Sequence, residues 1–184
     1  MLLPMAATRA AASEHMNTQA AMVADDAEMT GLAQYLTFVC AGEEYGVEIL
    51  CVQEIKGWEN VTRVPYTPRY LLGVMNLRGV IVPVIDLRLR FGLQARAMDA
   101  STVVIVVRVR AGHTEKTAGI VVDAVSEVYS VAPDDIKPAP SLGTSAESAC
   151  VRGLATVDEK MVMLLDIDKL VSSCIDAPEE TGSV

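Results

Sequence analysis

The sequence predicts a mainly β protein: two small five-stranded barrels packed together, each finished by a short capped helix. Three observations carry this. One design occurs twice, since Tyr45–Ile55 overlays Thr117–Val128 with Gly46 and Gly119, and Glu54 and Glu127, each 73 residues apart. Further on, Gly73-Val74 recurs as Gly153-Leu154, and Val84-Ile85-Asp86-Leu87 as Leu164-Leu165-Asp166-Ile167, at a spacing of 80. A longer Pro-containing connection after Val131 absorbs the difference. Second, 51% of the residues are apolar but only 4% aromatic, so Val, Ile and Leu must build the core, a mix that favours strands. Third, the apolar runs are short, alternate with period two and are bounded by Gly and Pro. Five short strands in ~70 residues cannot bury both faces of a flat sheet, so they should curl into a barrel.

In chain order, residues 1–31 show no pattern that buries a face and read as a disordered extension, with a fraying helix near Ala20–Met29. Gln34–Cys40 alternates as a strand. Ala41-Gly42-Glu43-Glu44 turns the chain, Tyr45–Leu50 returns it, and Val52–Ile55 extends that run until Gly57. Val61–Val64 leads into a loop marked by Pro65 and Pro68. Leu71–Leu77 and Val80–Ile85 form a hairpin turned at Arg78-Gly79. Pro83 cannot donate to a ladder and implies an edge, bulge or corner. Asp86 caps a helix through Phe91 that Gly92 ends. The second copy supplies strands at Thr102–Val109, Gly119–Asp123, Val125–Val131, Val151–Val157 and Met161–Leu165, then a helix capped by Asp166. Pro133–Pro140 and Ser141–Ser148 form a long surface connection. The domain should span 32–173, with lobes at about 46–98 and 102–165, exchange of flanking elements being possible, and a disordered acidic tail over 174–184.

Composition excludes several functions. Lys+Arg total 15 against 24 Asp+Glu, a net charge of −9, which gains little from counterion release and disfavours nucleic acid. The densest basic spot, Arg88-Leu89-Arg90, reads as a solvated helix face. No apolar run approaches the ~20 residues of a membrane helix, so no direct membrane insertion is expected. Met1-Leu2-Leu3-Pro4 opens neither a basic n-region nor a continuous apolar h-region, so no signal peptide is expected. Cys40, Cys51, Cys150 and Cys174 are scattered without a CxxC; Cys40 and Cys51 fall in strand patterns and read as buried thiols of a reducing cytoplasm.

Catalytic chemistry is not visible. His15 and His113 lie in a tail and a loop and read as solvated. No phosphate-loop, dinucleotide, zinc-protease or nucleophile-elbow motif occurs, and Asp134-Asp135 beside Pro133 reads as a solvated turn. No enzyme, cofactor or metal is expected. Glu54, at the end of an apolar strand, and Arg78, at the hairpin turn, could reach one rim and pair. From spacing alone this is a surface salt bridge worth ~0–1 kcal/mol. Trp58, the single tryptophan, sits at a bend between Gly57 and Glu59; core and interface readings both stand. Two packed barrels leave a groove between them where recognition would occur.

The run Val52-Gln53-Glu54-Ile55-Lys56-Gly57, then Val61–Pro65 and Gly73-Val74-Met75-Asn76-Leu77-Arg78-Gly79-Val80-Ile81-Val82-Pro83-Val84-Ile85-Asp86-Leu87-Arg88, closely resembles the CheW family of bacterial chemotaxis coupling proteins. Thr102–Val106 and Gly119–Asp123 agree in the second copy, and the likeness spans about Gln34 to Ser173. The resemblance implies two SH3-like barrels and a non-enzymatic adaptor between chemoreceptor tips and the regulatory domain of the histidine kinase CheA. Carried onto matching positions, it implies a receptor groove at Val52, Glu54, Gly73, Gly119, Val125 and Val128. It places kinase contacts at Val61, Gly79, Thr102, Val103 and Val104, and makes Arg78 a rim charge paired with Glu54. The pseudo-symmetry also admits rings of like subunits. Nothing after the second copy resembles a receiver domain, which argues against a CheV-type fusion. A CheW-type coupler of a non-flagellar pathway and a small-ligand sensor are the alternative functions.

Overall fold

The computed structural model describes residues 31–59, 61–111, 114–139 and 148–175. His15, His113, the helix expected near residues 20–29, most of the 141–148 connection and residues 176–184 lie outside them. Among the described residues are ten strands: β1 (Ala33–Cys40), β2 (Glu43–Glu48), β3 (Val52–Gly57), β4 (Leu71–Leu77), β5 (Val80–Asp86), β6 (Val103–Ala111), β7 (Thr114–Val122), β8 (Ala124–Val131), β9 (Val151–Val157) and β10 (Lys160–Leu165). Two helices follow hairpins, α1 (Leu87–Arg90) and α2 (Ile167–Ile175). Cys174, assigned to the tail from sequence, is buried in α2, so the folded part runs past residue 173.

Lobe one has the strand order β8-β1-β2-β10-β9, and lobe two β3-β6-β7-β5-β4. Each strand of one order has its repeat-mate at the same place in the other. The first two strands of each copy have nonetheless changed partners: β1 and β2 join β8, β9 and β10, while β6 and β7 join β3, β4 and β5. Bounds of 46–98 and 102–165 therefore do not divide the lobes; lobe two is the continuous 52–122 stretch and lobe one comes from both ends. The crossing occurs where a single run from Tyr45 to Ile55 was expected. A 3₁₀ turn at Ile49–Cys51, with Ile49 tucked into the core, breaks that run and redirects β3 onto β6.

Each exchange closes on a short parallel ladder, Gly46 opposite Leu164 and Gly119 opposite Val84. Pro83 sits in an interior strand, not at an edge. Its partner Val74 spends both N–H and C=O on Thr62, and the parallel ladder to β7 begins only at Val84, so no carbonyl waits for the missing N–H.

Three apolar clusters form. Tyr35, Val131, Ala155, Val162 and Leu164 fill lobe one, and Met75, Val82, Val84, Val104, Val106 and Val121 fill lobe two. The largest lies between the lobes, where Leu36, Phe38 and Val47 meet Ile105, Val107 and Ile120, with Leu170 and Val171 of α2 packed in. Period two explains the unbroken Val103–Val107 run: Val104 and Val106 face the lobe-two interior while Ile105 and Val107 face the seam. The expected groove between the lobes is thus a filled seam, open only at its margins.

Candidate protein-docking site

β3 and β8 each stand at one end of their sheet, and both carry a bulge at repeat-equivalent positions, Gln53 and Ser126. Val52 of β3 and Val125 and Val128 of β8 are half-buried and pack against the same seam cluster, so both edges border one apolar margin. Next to Val52, Glu54 is largely covered, with its side chain 12% exposed. Arg78 reaches it from the β4–β5 turn, where Arg78 and Gly79 have φ of 51° and 90°, the mirror-image turn suited to hairpins. Gly79 N–H donates to Asn76 Oδ1 at 2.7 Å and holds that turn. Arg78 Nη2 donates to Glu54 Oε2 at 2.9 Å, its own side chain 84% exposed. The other carboxylate oxygen, Glu54 Oε1, is buried and has no hydrogen-bond partner among the described residues.

The other singled-out residues divide by burial. Gly73 and Gly119 are buried and serve close backbone approach. A Cβ at Gly73 would lie 2.2 Å from Thr62 O, and one at Gly119 would lie 2.9 Å from Val104 Cγ1. Val104 is 0% exposed, so it meets Gly119 inside lobe two rather than at a surface. Thr102 is buried as well, its hydroxyl accepting from Asp99 N–H at 2.9 Å. Gly79 is exposed; Val61 and Val103 are half-buried, on the lobe-two core and the seam respectively. The structure thus gathers Val52, Val125 and Val128 at one margin and sends Thr102 and Val104 into the core. Trp58 is half-buried against the lobe-two core, its N–H on Thr102 O.

Two features escaped the sequence reading. Val80 and Ile81 follow the turn with 57% and 62% exposure, and Met161 stands in the equivalent place on lobe one at 63%. Three apolar residues in a row, Val80-Ile81-Val82, were the available signal. Arg88 is not a solvated helix residue: it binds Asp123 through Nε at 2.7 Å and Nη2 at 2.5 Å, while Asp123 also accepts from Ala41 N–H at 2.8 Å. Burial alone would raise the Asp123 carboxyl, but these bonds and the charges of Arg88 and Arg96 hold it below its ordinary value. Arg90 likewise lies over the Tyr70 ring and bonds Ser173. Cys40 is fully buried and Cys51 partly so; burial above all pushes their thiols up to about 12 and about 11. Asp134 and Asp135 lie exposed in a 3₁₀ turn. Among the described residues no cluster of three metal-ligating side chains occurs, and no helix is long and apolar enough to cross a membrane.

Paired five-stranded lobes with an apolar, charge-edged seam define a class of small β scaffolds. Residues 34–174 match the model of the CheW-like domain, and the chain belongs to the CheW family of chemotaxis scaffolding proteins. It is 46% identical to chemotaxis protein CheW of Klebsiella aerogenes over 140 residues, covering 76% of this chain and 82% of that one. It is 34% identical to chemotaxis protein CheW of Rhizobium meliloti over 153 residues, 79% and 96% of the two chains. A crystal structure of the scaffolding protein TtCheW from Thermoanaerobacter tengcongensis superimposes with a TM-score of 0.68 at 35% identity, covering 76% of this chain and 87% of that one. The two lobes are accordingly SH3-like.

Proposed function

We propose that this chain is a non-catalytic cytoplasmic adaptor that joins chemoreceptor tips to the histidine kinase CheA within membrane-associated arrays. The receptor's helical tip docks along the seam margin at Val52, Val125 and Val128, with Gly73 and Gly119 shaping the strands beneath. The kinase's regulatory domain docks on lobe two around Val61, Gly79 and Val103, with Thr102 and Val104 holding that surface from inside. Signalling state passes as differential affinity of the two partners, without bond chemistry.

One observation carries the reading: Glu54 stands beside the apolar margin with one oxygen on Arg78 and the other unpartnered. Because Arg78 is exposed to water that screens its charge, the pair adds only ~0–1 kcal/mol to the fold. At a docking margin it does more, because a charge at the edge of an apolar surface selects partner and register. The test is reconstitution of kinase activation from receptor tips and CheA with and without this chain. R78E should lower receptor-dependent activation at least several-fold while the unfolding free energy stays within ~1 kcal/mol of the native chain's. Full activation by R78E would overturn the assignment.

A further inference from the structure

Lobe two carries an open cleft of ≈ 490 Å³ on the side of the β3–β4 loop. Leu71, Leu72, Leu89 and Met98 line it, Tyr66 stands at its edge 100% exposed on a left-handed backbone (φ 59°), and Arg63, Arg69 and Arg96 supply charge. The three guanidiniums are not equivalent. Arg96 is engaged by Asp99 and lies 3.8 Å from Asp123. Arg63 and Arg69 are exposed, and among the described residues their side chains have no ion pair or hydrogen bond. The one carboxylate of the lining, Asp86, is buried and committed to capping α1 through Leu89 N–H at 3.2 Å. In a chain of net charge −9, this is a cationic mouth over an apolar floor, a surface complementary to a short acidic peptide.

The chain itself brings such a peptide to the spot. The hydroxyl of Tyr70 donates to Cys174 O at 3.4 Å, so the end of α2 is fastened to the residue between Arg69 and Leu71 of the cleft. Directly beyond α2 come Asp176-Ala177-Pro178-Glu179-Glu180, three carboxylates in five residues. Five extended residues reach up to about 17 Å. Both this stretch and the end of α2 after Cys174 fall outside the matched family domain of 34–174. We propose that the Asp176–Glu180 stretch docks within the same molecule onto this cleft, its carboxylates on Arg63 and Arg69. The proposal stands independently of receptor and kinase coupling.

The experiment compares ¹⁵N-labelled full-length chains by NMR. In R63E/R69E the amide signals of Ala177, Glu179, Glu180 and Thr181 should shift away from those of the native chain, as they should in high salt. Adding E179K/E180K to that variant, which restores opposite charges, should return the Leu71, Leu72 and Leu89 signals toward their native positions. Arg63 and Arg69 have no side-chain partners among the described residues, so their substitution leaves the lobe fold intact and the lobe signals report it. Tail signals that coincide in the native chain and R63E/R69E would overturn the proposal. So would a cleft that responds to D25K/D26K instead of E179K/E180K, which would make the N-terminal segment the occupant. Shifts that scale with protein concentration would also overturn it, by placing the contact between molecules.

Discussion

Lobe two sets Arg78 at its β4–β5 turn opposite Glu54, whereas lobe one, at the same places in the repeat, sets Asp158 and Glu127. The backbones at the two turns agree, with φ of 51° at Arg78 and 47° at Asp158. What differs is charge: a closed ion pair on one lobe, two carboxylates on the other. Near those carboxylates the Tyr129 hydroxyl is raised above its ordinary 10.0, by loss of solvent first and then by Glu127 and Asp158. At the strand-to-helix junctions the copies agree to the single bond. Asp86 N–H donates to Tyr70 O as Asp166 N–H does to Cys150 O, and Asp86 and Asp166 cap α1 and α2 alike, through Leu89 and Lys169 N–H. Shared positions are those a closed five-stranded lobe requires, and divergent ones are those it leaves free. The rim pair is therefore where one lobe has been specialised.

The largest test of the shared plan is the paired glycines. Gly73 combines φ of 145° with a Cβ site 2.2 Å from Thr62 O; Gly153 has a Cβ site 2.7 Å from Ile136 Cγ2 and 2.8 Å from Lys137 O. In both, the loop backbone crosses the strand through a bridge, Thr62 to Val74 and Lys137 to Leu154. G73A should cost about 4 kcal/mol, because both the torsion and a backbone atom must give. G153A should cost about half as much, since one of its neighbours is a movable side chain. Urea unfolding midpoints measure both. Equal losses would show that the two crossings are equally rigid, contrary to the geometry.

Smaller is the tie from each helix to the neighbouring strands. Arg88 of α1 grips Asp123, both side chains mostly covered, whereas its repeat-mate Asp168 of α2 accepts one bond from Arg110 N–H at 2.8 Å. R88A should cost about 2 kcal/mol, below the ~3–5 kcal/mol of a fully buried pair because some water reaches it. D168A should cost about 1 kcal/mol. The Asp123 tie also has a pH signature. Its folded-state carboxyl lies below the ordinary 3.8, so its stabilisation is complete above about pH 4 and is lost as pH falls through the lowered value. D123N should flatten that acid limb of the stability curve. An unchanged limb would mean that Asp123 contributes nothing through its charge.

Much of this plan is legible in the residues. Asp86 and Asp166 announce their helices, Arg78-Gly79 its hairpin, and the twin glycines their repeat, because each signal is local. Partnership between strands is not local. Alternation tells which face of β2 is apolar but not that Gly46, paired with Thr37 of its own copy on one side, will lie beside Leu164 of the other copy on the other. The Val103–Val107 run hides even the face, since both are buried. Arg88 looks solvated until the fold brings Asp123 across to it, 35 residues away in sequence. The two candidate faces were readable as sets of residues only through family resemblance; burial then set Gly73 and Gly119 apart from Val52, Val125 and Val128 on the one, and Thr102 and Val104 apart from Gly79 on the other.

The smallest expected effect on stability is the most direct test of the specialised rim. D158R gives lobe one a cation opposite Glu127, at a turn position whose left-handed backbone already carries arginine in lobe two. Stability should move by no more than ~0.5 kcal/mol, because the turn is exposed. The Tyr129 hydroxyl should titrate lower, since one of the two carboxylates raising it is gone; an unmoved titration would place Asp158 too far away to matter. Combined with R78E, it should leave kinase activation as weak as in R78E alone. The new cation stands opposite Glu127, next to Val125 and Val128, and leaves Glu54 beside Val52 without its own partner. Restored activation in the double variant would mean that net rim charge, and not its location on lobe two, sets the coupling.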